Sequence, residues 1–145
     1  MHRVFLIATM DTKAAEARFF RKELEKRGMR VTLADAGNLS PSPPDAEITQ
    51  NDVLGGDLEA AKRAQTRADA SALIIRGLKR VTLEQYQSGR LDAAVSFGGS
   101  GGTALAAAAM GVLPLGVPRV IVTTIASGNT QPYLHGRDIL LINPI

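Results

Sequence analysis

Short apolar runs alternate along the chain with longer charged segments whose apolar residues recur at helical spacing. The first run, Arg3–Thr9, is continuously apolar between its two polar ends, which is typical of a strand buried on both faces of a parallel sheet. The charged segment Lys13–Arg27 is predicted to be a helix that ends at Gly28, and Arg30–Asp35 is predicted to be the next strand. Because such a strand–helix–strand unit is a crossover connection, the two strands are predicted to pair in parallel.

The same alternation continues to the end of the chain and completes the predicted fold. The further predicted elements are helices over Leu58–Ala64, Ala70–Gln87 and Thr103–Met110, and strands over Ala93–Phe97, Arg119–Ile125 and Ile139–Ile142. The pattern predicts a doubly wound α/β fold, Rossmann-like or flavodoxin-like, with a mainly parallel sheet of five strands. Gly77 indicates close packing of the longest helix, whose predicted buried side includes Tyr86.

A long connection over residues 36–56 interrupts this alternation. It is rich in Gly, Ser and Pro, with Ser40–Pro44 at its centre and Gly55–Gly56 at its end. A short helix around residues 46–53 is compatible with its sequence. The segment is interpreted as a plain surface loop in preference to a mobile flap, because long loops are only sometimes functional.

Composition narrows the class of protein. The 145 residues contain no Cys, which excludes disulfides and thiolate metal sites, and their length predicts one domain over residues 1–145. No apolar run approaches the roughly 18 residues that span a membrane. The 17 basic and 14 acidic residues give a net charge of +3, which is too small and too interleaved to favour nucleic acid. A cytoplasmic protein without nucleic-acid or membrane partners is therefore predicted.

The most informative segment is a glycine-rich loop between a predicted strand and a predicted helix. Gly98, Gly99, Ser100, Gly101, Gly102 and Thr103 follow one another directly. Glycines let backbone N–H groups converge on one point, and a helix N-terminus adds partial positive charge there, so a phosphate or carboxylate is the expected ligand. The loop is neither a Walker A sequence nor the dinucleotide fingerprint. The alternative interpretation is a tight, closely packed turn without a ligand, in which Thr103 caps the helix.

Two further loops leave the carboxyl ends of predicted strands and are expected to meet the glycine-rich loop in one crevice. The expected crevice residues are Asp11, Thr12, Lys13, Ser100, Thr103, Thr123, Thr124, Ser127, Gly128 and Asn129. Each has a simpler explanation: Asp11 could cap a helix, Lys13 could be solvated, and Ser127–Asn129 could be an ordinary turn. Asp11 with Asp138 could hold Mg²⁺ beside phosphates, but the spacing does not require a metal. Asp35 is interpreted as a structural turn residue.

Several segments together resemble a known family, the ATP-binding domain family named after the plant protein that confers resistance to tomato mosaic virus. The matching segments are Ala8–Lys13, Arg90–Phe97, Gly98–Thr103, Leu113–Pro118, Thr123–Thr130 and Pro132–Tyr133. The resemblance covers essentially the whole chain in the same order. It implies an α/β domain that binds ATP, and Mg²⁺ is the metal that could accompany the ATP phosphates. It also implies that a second α/β domain normally follows, so the chain is expected to be the first domain of a longer protein.

Three hypotheses about function follow. The first is nucleotide binding, with ATP favoured, by the Gly98–Thr103 loop together with Thr12, Lys13 and the Ser127–Asn129 loop. The second is an enzyme acting on a small phosphorylated or carboxylated metabolite, with Asp11 or Lys13 transferring protons. The third is a module whose charge-poor second half docks a second domain or forms a homodimer. No catalytic constellation is recognisable in the sequence, and the substrate of any enzyme is left open.

Overall fold

The computed structural model describes residues 1–144 and contains a sheet of five parallel strands with helices on its two faces. The strands are β1 (Arg3–Ala8), β2 (Arg30–Asp35), β3 (Ala93–Gly98), β4 (Arg119–Thr123) and β5 (Leu140–Ile142). The helices are α1 (Met10–Lys26), α2 (Gln50–Val53), α3 (Leu58–Arg63), α4 (Arg67–Gln87), α5 (Ser100–Met110) and α6 (Gln131–Leu134). The predicted doubly wound α/β fold is confirmed.

The strand order is β2-β1-β3-β4-β5, and every neighbouring pair is parallel. From β1 the chain moves outward to β2 and then returns to place β3 on the other side of β1. The order therefore reverses between β1 and β3. In open α/β sheets this switch point opens a crevice at the carboxyl ends of the strands, where ligands bind.

Both faces of the central strands are buried, as the continuous apolar runs predict. On one face Phe5, Ile7 and Ile121 pack in a core with residues of α4 and α5. On the other face Leu6 and Leu33 pack with residues of α1. The α1 face is less covered over β5, where the side chains of Leu140 and Ile142 are exposed.

The longest helix, α4, approaches α2 closely at Gly77. A Cβ atom at this position would lie 1.9 Å from the carbonyl oxygen of Val53, so the sequence-based expectation of close packing is confirmed. Arg80, one turn further on, donates from Nη2 to the carbonyl oxygen of Asp52 over 2.5 Å. The predicted burial of Tyr86 is wrong: the buried residue beside it is Gln85, because the face that packs on α2 and the sheet includes Gly77, Leu78 and Gln85.

Three helix starts differ from the sequence-based boundaries. Helix α1 begins at Met10 instead of Lys13, whose own backbone angles (φ −128°, ψ 21°) are not helical. Helix α5 begins at Ser100 instead of Thr103, and helix α4 begins at Arg67 instead of Ala70. The connection over residues 36–56 is also more ordered than a plain loop, since Ile48 forms a parallel bridge with Ala34 and is buried.

At the opposite end of the sheet, an ion pair joins the beginnings of β1 and β3. Both Nε and Nη2 of Arg3 donate to the carboxylate of Asp92, over 2.9 and 2.7 Å, and the Arg3 backbone N–H donates to it as well. The hydrogen bonds from Arg3 lower the pKa of Asp92 to about 2. The pairing of β1 with β3, which creates the switch point, is thus reinforced by side chains.

Candidate functional site

A cleft of about 750 Å³ opens at the switch point between β1 and β3. Thr9 with the first turn of α1 forms one of its walls, and the first turn of α5 forms a second. Residues 36–39 form a third wall, and the first turns of α4 form a fourth. The residues that line it are Thr9, Asp11, Thr12, Lys13, Ala36, Gly37, Asn38, Leu39, Ala64, Gln65, Thr66, Arg67, Ala70, Ser71, Ile74, Ile75, Gly98, Gly99, Ser100, Gly101, Gly102, Ala104 and Leu105. Two of the three loops singled out in the sequence therefore meet here.

The glycine-rich segment is a strand end followed directly by a helix. Gly98 closes β3, Gly99 is the N-cap residue of α5, and Gly101 and Gly102 lie in the first helical turn. The first N–H groups of an α-helix have no intrahelical partner, and Gly99 has no side chain to cap them. A Cβ atom at Gly101 would meet nothing within 4 Å, so the first turn of α5 is open.

Thr103 is fully buried and does not line the cleft. Its hydroxyl donates to the carbonyl oxygen of Gly99 over 2.6 Å and lies 2.7 Å from the hydroxyl oxygen of Thr123 in β4. Its predicted role as the helix cap is wrong, because the cap is Gly99. Thr103 instead fastens the start of α5 to the neighbouring strand.

The loop after β2 (the β2 loop), whose residues 36–39 form the third wall, is held in place by the buried carboxylate of Asp35. Its two oxygens accept hydrogen bonds from four donors in three different segments of the chain. The donors are the backbone N–H groups of Met10 (3.1 Å) and Gly37 (2.8 Å), the hydroxyl of Ser42 (2.7 Å) and the amide of Gln50 (3.1 Å). The interpretation of Asp35 as a structural residue agrees with this geometry.

Asp11, in the first turn of α1, contacts the same loop directly. Its Oδ2 accepts the backbone N–H groups of Asn38 and Leu39, over 2.9 and 2.8 Å. Gly37 makes this approach possible, because a Cβ atom there would lie 2.7 Å from the carboxyl carbon of Asp11. The N-cap residue of α1 is Thr9, so the capping alternative for Asp11 is wrong, and its carboxylate positions the loop.

Asp11→Ala is expected to release residues 37–39 and to widen the cleft. The change removes an acceptor shared by two backbone N–H groups, which costs about 1–2 kcal/mol of unfolding free energy. Limited proteolysis should detect faster cleavage near Leu39 in the Asp11→Ala chain than in the natural chain. Asp57→Ala is a matched control, since Asp57 caps the short helix α3 and pairs with Arg63, and it does not contact residues 37–39. Unchanged proteolysis of the Asp11 variant would contradict the assigned tether.

The other polar side chains of this wall, those of Thr9, Thr12 and Lys13, pair with one another or with Glu16. The hydroxyl oxygens of Thr9 and Thr12 lie 3.0 Å apart. The ammonium of Lys13 donates to Glu16 over 2.8 Å, and this hydrogen bond lowers the pKa of the Glu16 carboxyl. The positive charge of Lys13 is therefore largely balanced at the edge of the cleft.

The third predicted loop lies outside the cleft. Ser127, Gly128 and Asn129 follow β4 in a turn and are not among the lining residues. Thr124 lines a second cavity, of about 540 Å³, on the α1 side of the sheet, together with Lys13, Gly98 and Gly99. The other residues of this cavity are mostly apolar: Glu16, Phe19, Phe20, Phe97, Val122 and Pro144.

Two parts of the cleft were missed in the sequence. Arg67, the first residue of α4, lines it beside Thr66, whose hydroxyl accepts the backbone N–H of Asp69 and caps the helix. Farther along α4, Ile74 and Ile75 form an apolar wall that faces the cleft with Leu105 of α5. The available signal was Thr66 with Asp69 three residues later, a capping sequence that predicts a helix start before Ala70.

Comparison with known proteins identifies the family. The model of the uncharacterised protein family UPF0261, N-terminal domain, matches residues 2–145. The chain belongs to this family. The resemblance stated from the sequence is thereby confirmed at the level of the family, while the ATP binding that it implies stays a prediction.

Relatives of the UPF0261 chain occur in bacteria and in tomato. A UPF0261 protein of Clostridium tetani is 33% identical over 97% of this chain and 35% of its own length. A UPF0261 protein of Mesorhizobium japonicum is 32% identical over 98% of this chain and 36% of its own length. The ToMV resistance protein Tm-1(GCR237) of Solanum lycopersicum is 31% identical over 96% of this chain and 21% of its own length. The chain thus spans about a third of these bacterial relatives and about a fifth of the tomato protein.

Residues 1–144 of the UPF0261 chain contain neither a metal-binding cluster of side chains nor a membrane-spanning helix. Over residues 1–144, no three His, Asp or Glu side chains are grouped so that they could bind a metal ion, and Asp11 and Asp138 are not part of such a group. In the same part of the chain, no helix has the length and apolarity needed to cross a membrane. The cleft itself offers backbone amides, hydroxyls, one apolar wall and the charged side chains of Asp11, Lys13 and Arg67.

Proposed function

We propose that this UPF0261 domain binds a nucleotide in the switch-point cleft, with the phosphates at the first turn of α5. The observation that carries the proposal is the position of the open helix N-terminus, Ser100–Gly102, on the wall of a 750 Å³ cleft. Backbone N–H groups at a helix N-terminus attract phosphate through both hydrogen bonds and the helix dipole. ATP is the favoured nucleotide because of the resemblance to the ATP-binding family, and Mg²⁺ would arrive with its phosphates.

The walls of the cleft suit a ligand that combines charge with an apolar group. Phosphate oxygens would accept from the amides of α5, and the hydroxyls of Thr12 and Ser100 lie in the same cleft. The side chains of Ile75 and Leu105 offer a surface on which a planar base could pack. This combination favours a nucleotide over inorganic phosphate or a small sugar phosphate.

The test is calorimetric titration of the chain with ATP and with adenosine. ATP is expected to bind at least tenfold more tightly than adenosine, because adenosine lacks the phosphates that the amides of α5 would hold. Gly101→Val should abolish ATP binding, since its side chain would project into open space at the phosphate position without displacing protein atoms.

Two controls test whether a loss of ATP binding comes from the phosphate position and not from unfolding. Gly28→Ala changes a glycine that is remote from the cleft and should leave ATP affinity unchanged, although its positive φ of 76° will cost stability. Far-UV circular dichroism should show the Gly101→Val chain folded. Equal affinities for ATP and adenosine, or full ATP affinity in the Gly101→Val chain, would refute the phosphate site.

The enzyme hypothesis is less favoured by this geometry. Its two candidate proton-transfer groups, Asp11 and Lys13, are each engaged with neighbouring protein groups. The docking hypothesis stays a prediction: a second domain or a second copy would find exposed apolar side chains at Phe19, Leu140 and Ile142. A cytoplasmic location is part of the same proposal, since a nucleotide-binding domain has its ligand there.

A further inference from the structure

The charged side chains that line the cleft differ in whether they are already paired with other protein groups. Among the lining residues, Asp11, Lys13 and Arg67 are the charged ones. Asp11 accepts two backbone N–H groups of the β2 loop, and the ammonium of Lys13 is paired with Glu16. Within residues 1–144, Arg67 makes neither a side-chain hydrogen bond nor an ion pair. Its guanidinium is therefore the charged group that the cleft leaves free.

The fold places Arg67 and the open end of α5 on walls of the same cleft. Helices α4 and α5 pack against each other, and both begin at the carboxyl end of the sheet. Ile74, in the same core cluster as Ala106, lies seven residues beyond Arg67, and Ala106 lies six residues beyond Ser100. At about 1.5 Å per residue, the first turn of each helix lies about 10 Å from that core residue, and both first turns line the cleft.

The position of Arg67 in its helix is well defined. The hydroxyl of Thr66 accepts the backbone N–H of Asp69 over 3.1 Å and donates to its carboxylate over 2.7 Å. This cap makes Arg67 the first helical residue and places it on the same side of α4 as Ala70, Ser71 and Ile74, which also line the cleft. Asp69 is occupied by the cap and does not neutralise Arg67.

We propose that Arg67 is a ligand-binding residue whose guanidinium contacts the phosphate group held at the first turn of α5. The planar guanidinium of an arginine can donate to two phosphate oxygens at once. A phosphate bound by the backbone amides of α5 would still have oxygens accessible to Arg67. The ligand class is then a di- or triphosphate, because a chain of phosphates offers enough oxygens for both walls. This inference rests on the proposed phosphate site and adds a residue and a charge to it.

The test uses the full chain and two probes, ATP and inorganic tripolyphosphate, in calorimetric titrations. Arg67→Gln is expected to weaken both probes about tenfold, which corresponds to about 1.4 kcal/mol for one charge-assisted contact. Arg67→Lys should recover only part of that affinity, because a lysine keeps the charge without the fork. Arg76→Gln, on the exposed side of the same helix and away from the cleft, should leave both affinities unchanged.

The outcomes separate this inference from the proposed function. If Gly101→Val abolishes ATP binding and Arg67→Gln does not weaken it, the phosphate site stands and the role of Arg67 is wrong. If Arg67→Gln weakens ATP and leaves tripolyphosphate unchanged, Arg67 contacts the nucleoside, and the inference is overturned. If tripolyphosphate shows the Arg67 effect while ATP does not bind, the role of Arg67 stands and the nucleotide proposal fails. Binding of neither probe by the unaltered chain overturns both.

Discussion

Gly77→Ala is expected to destabilise the protein by about 2–3 kcal/mol, against the usual trend for this substitution. In a helix interior, Ala is normally favoured over Gly by about 1 kcal/mol. Here the new Cβ atom would lie 1.9 Å from the carbonyl oxygen of Val53 and 2.7 Å from its carbonyl carbon. Because both atoms belong to the backbone, α2 and α4 must move apart, and overpacking of this kind costs about 1–3 kcal/mol or more.

Urea denaturation followed by far-UV circular dichroism measures this effect. We expect a lower midpoint with an unchanged slope, since the exposed surface on unfolding stays the same. Gly101→Ala is the matched control: the same substitution in a helix whose Cβ position is open should be neutral or stabilise by up to about 1 kcal/mol. Equal midpoints for the Gly77→Ala chain and the natural chain would disprove the close contact between α2 and α4.

Asp35→Ala is expected to cost about 3 kcal/mol or more and to disorganise one wall of the cleft. The carboxylate is 1% exposed and accepts hydrogen bonds from Met10, Gly37, Ser42 and Gln50. Each buried donor left without a partner costs about 1–3 kcal/mol, with partial relief where the loop reopens to water. The same urea titration gives the stability, and the ATP titration gives the effect on the cleft.

Two control variants distinguish the loss of the buried hydrogen bonds of Asp35 from the loss of any carboxylate. Asp45→Ala removes a more exposed carboxylate paired with Arg18 and should cost less than about 1 kcal/mol. Ser42→Ala removes a single partner of Asp35 and should fall between the two. A chain with Asp35→Ala that is as stable as the one with Asp45→Ala would contradict the assigned hydrogen-bond network.

The sheet could be predicted from the sequence because its strands are continuously apolar and its helices are amphipathic. The predicted strand Arg30–Asp35 has the same bounds as β2. The predicted strand Ala93–Phe97 is one residue shorter than β3. Helix starts were harder. Gly101 and Gly102 have low helix propensity, so they were assigned to a loop, yet the packing of α5 on the sheet includes them in its first turn. Tertiary contacts, which the sequence does not display, decided these boundaries.

The candidate site was predicted in part. Parallel topology brings the carboxyl ends of β1 and β3 together, which is why the loops around Asp11 and Ser100 were correctly expected to meet. The expected contribution of the β4 loop was not found, because Ser127–Asn129 are not among the residues that line the cleft. The tether from Asp11 to Asn38 joins segments 27 residues apart, and no local pattern reveals such a contact.

The hydroxyl contact between Thr103 and Thr123 has a consequence for the entropy of binding. A glycine-rich segment would ordinarily be flexible and would lose conformational freedom when a ligand ordered it. Here the segment is already helical, and Thr103 fastens it to Gly99 and to β4 before any ligand arrives. Its free amides are therefore preorganised, and a bound phosphate would not lose affinity to the cost of ordering this segment.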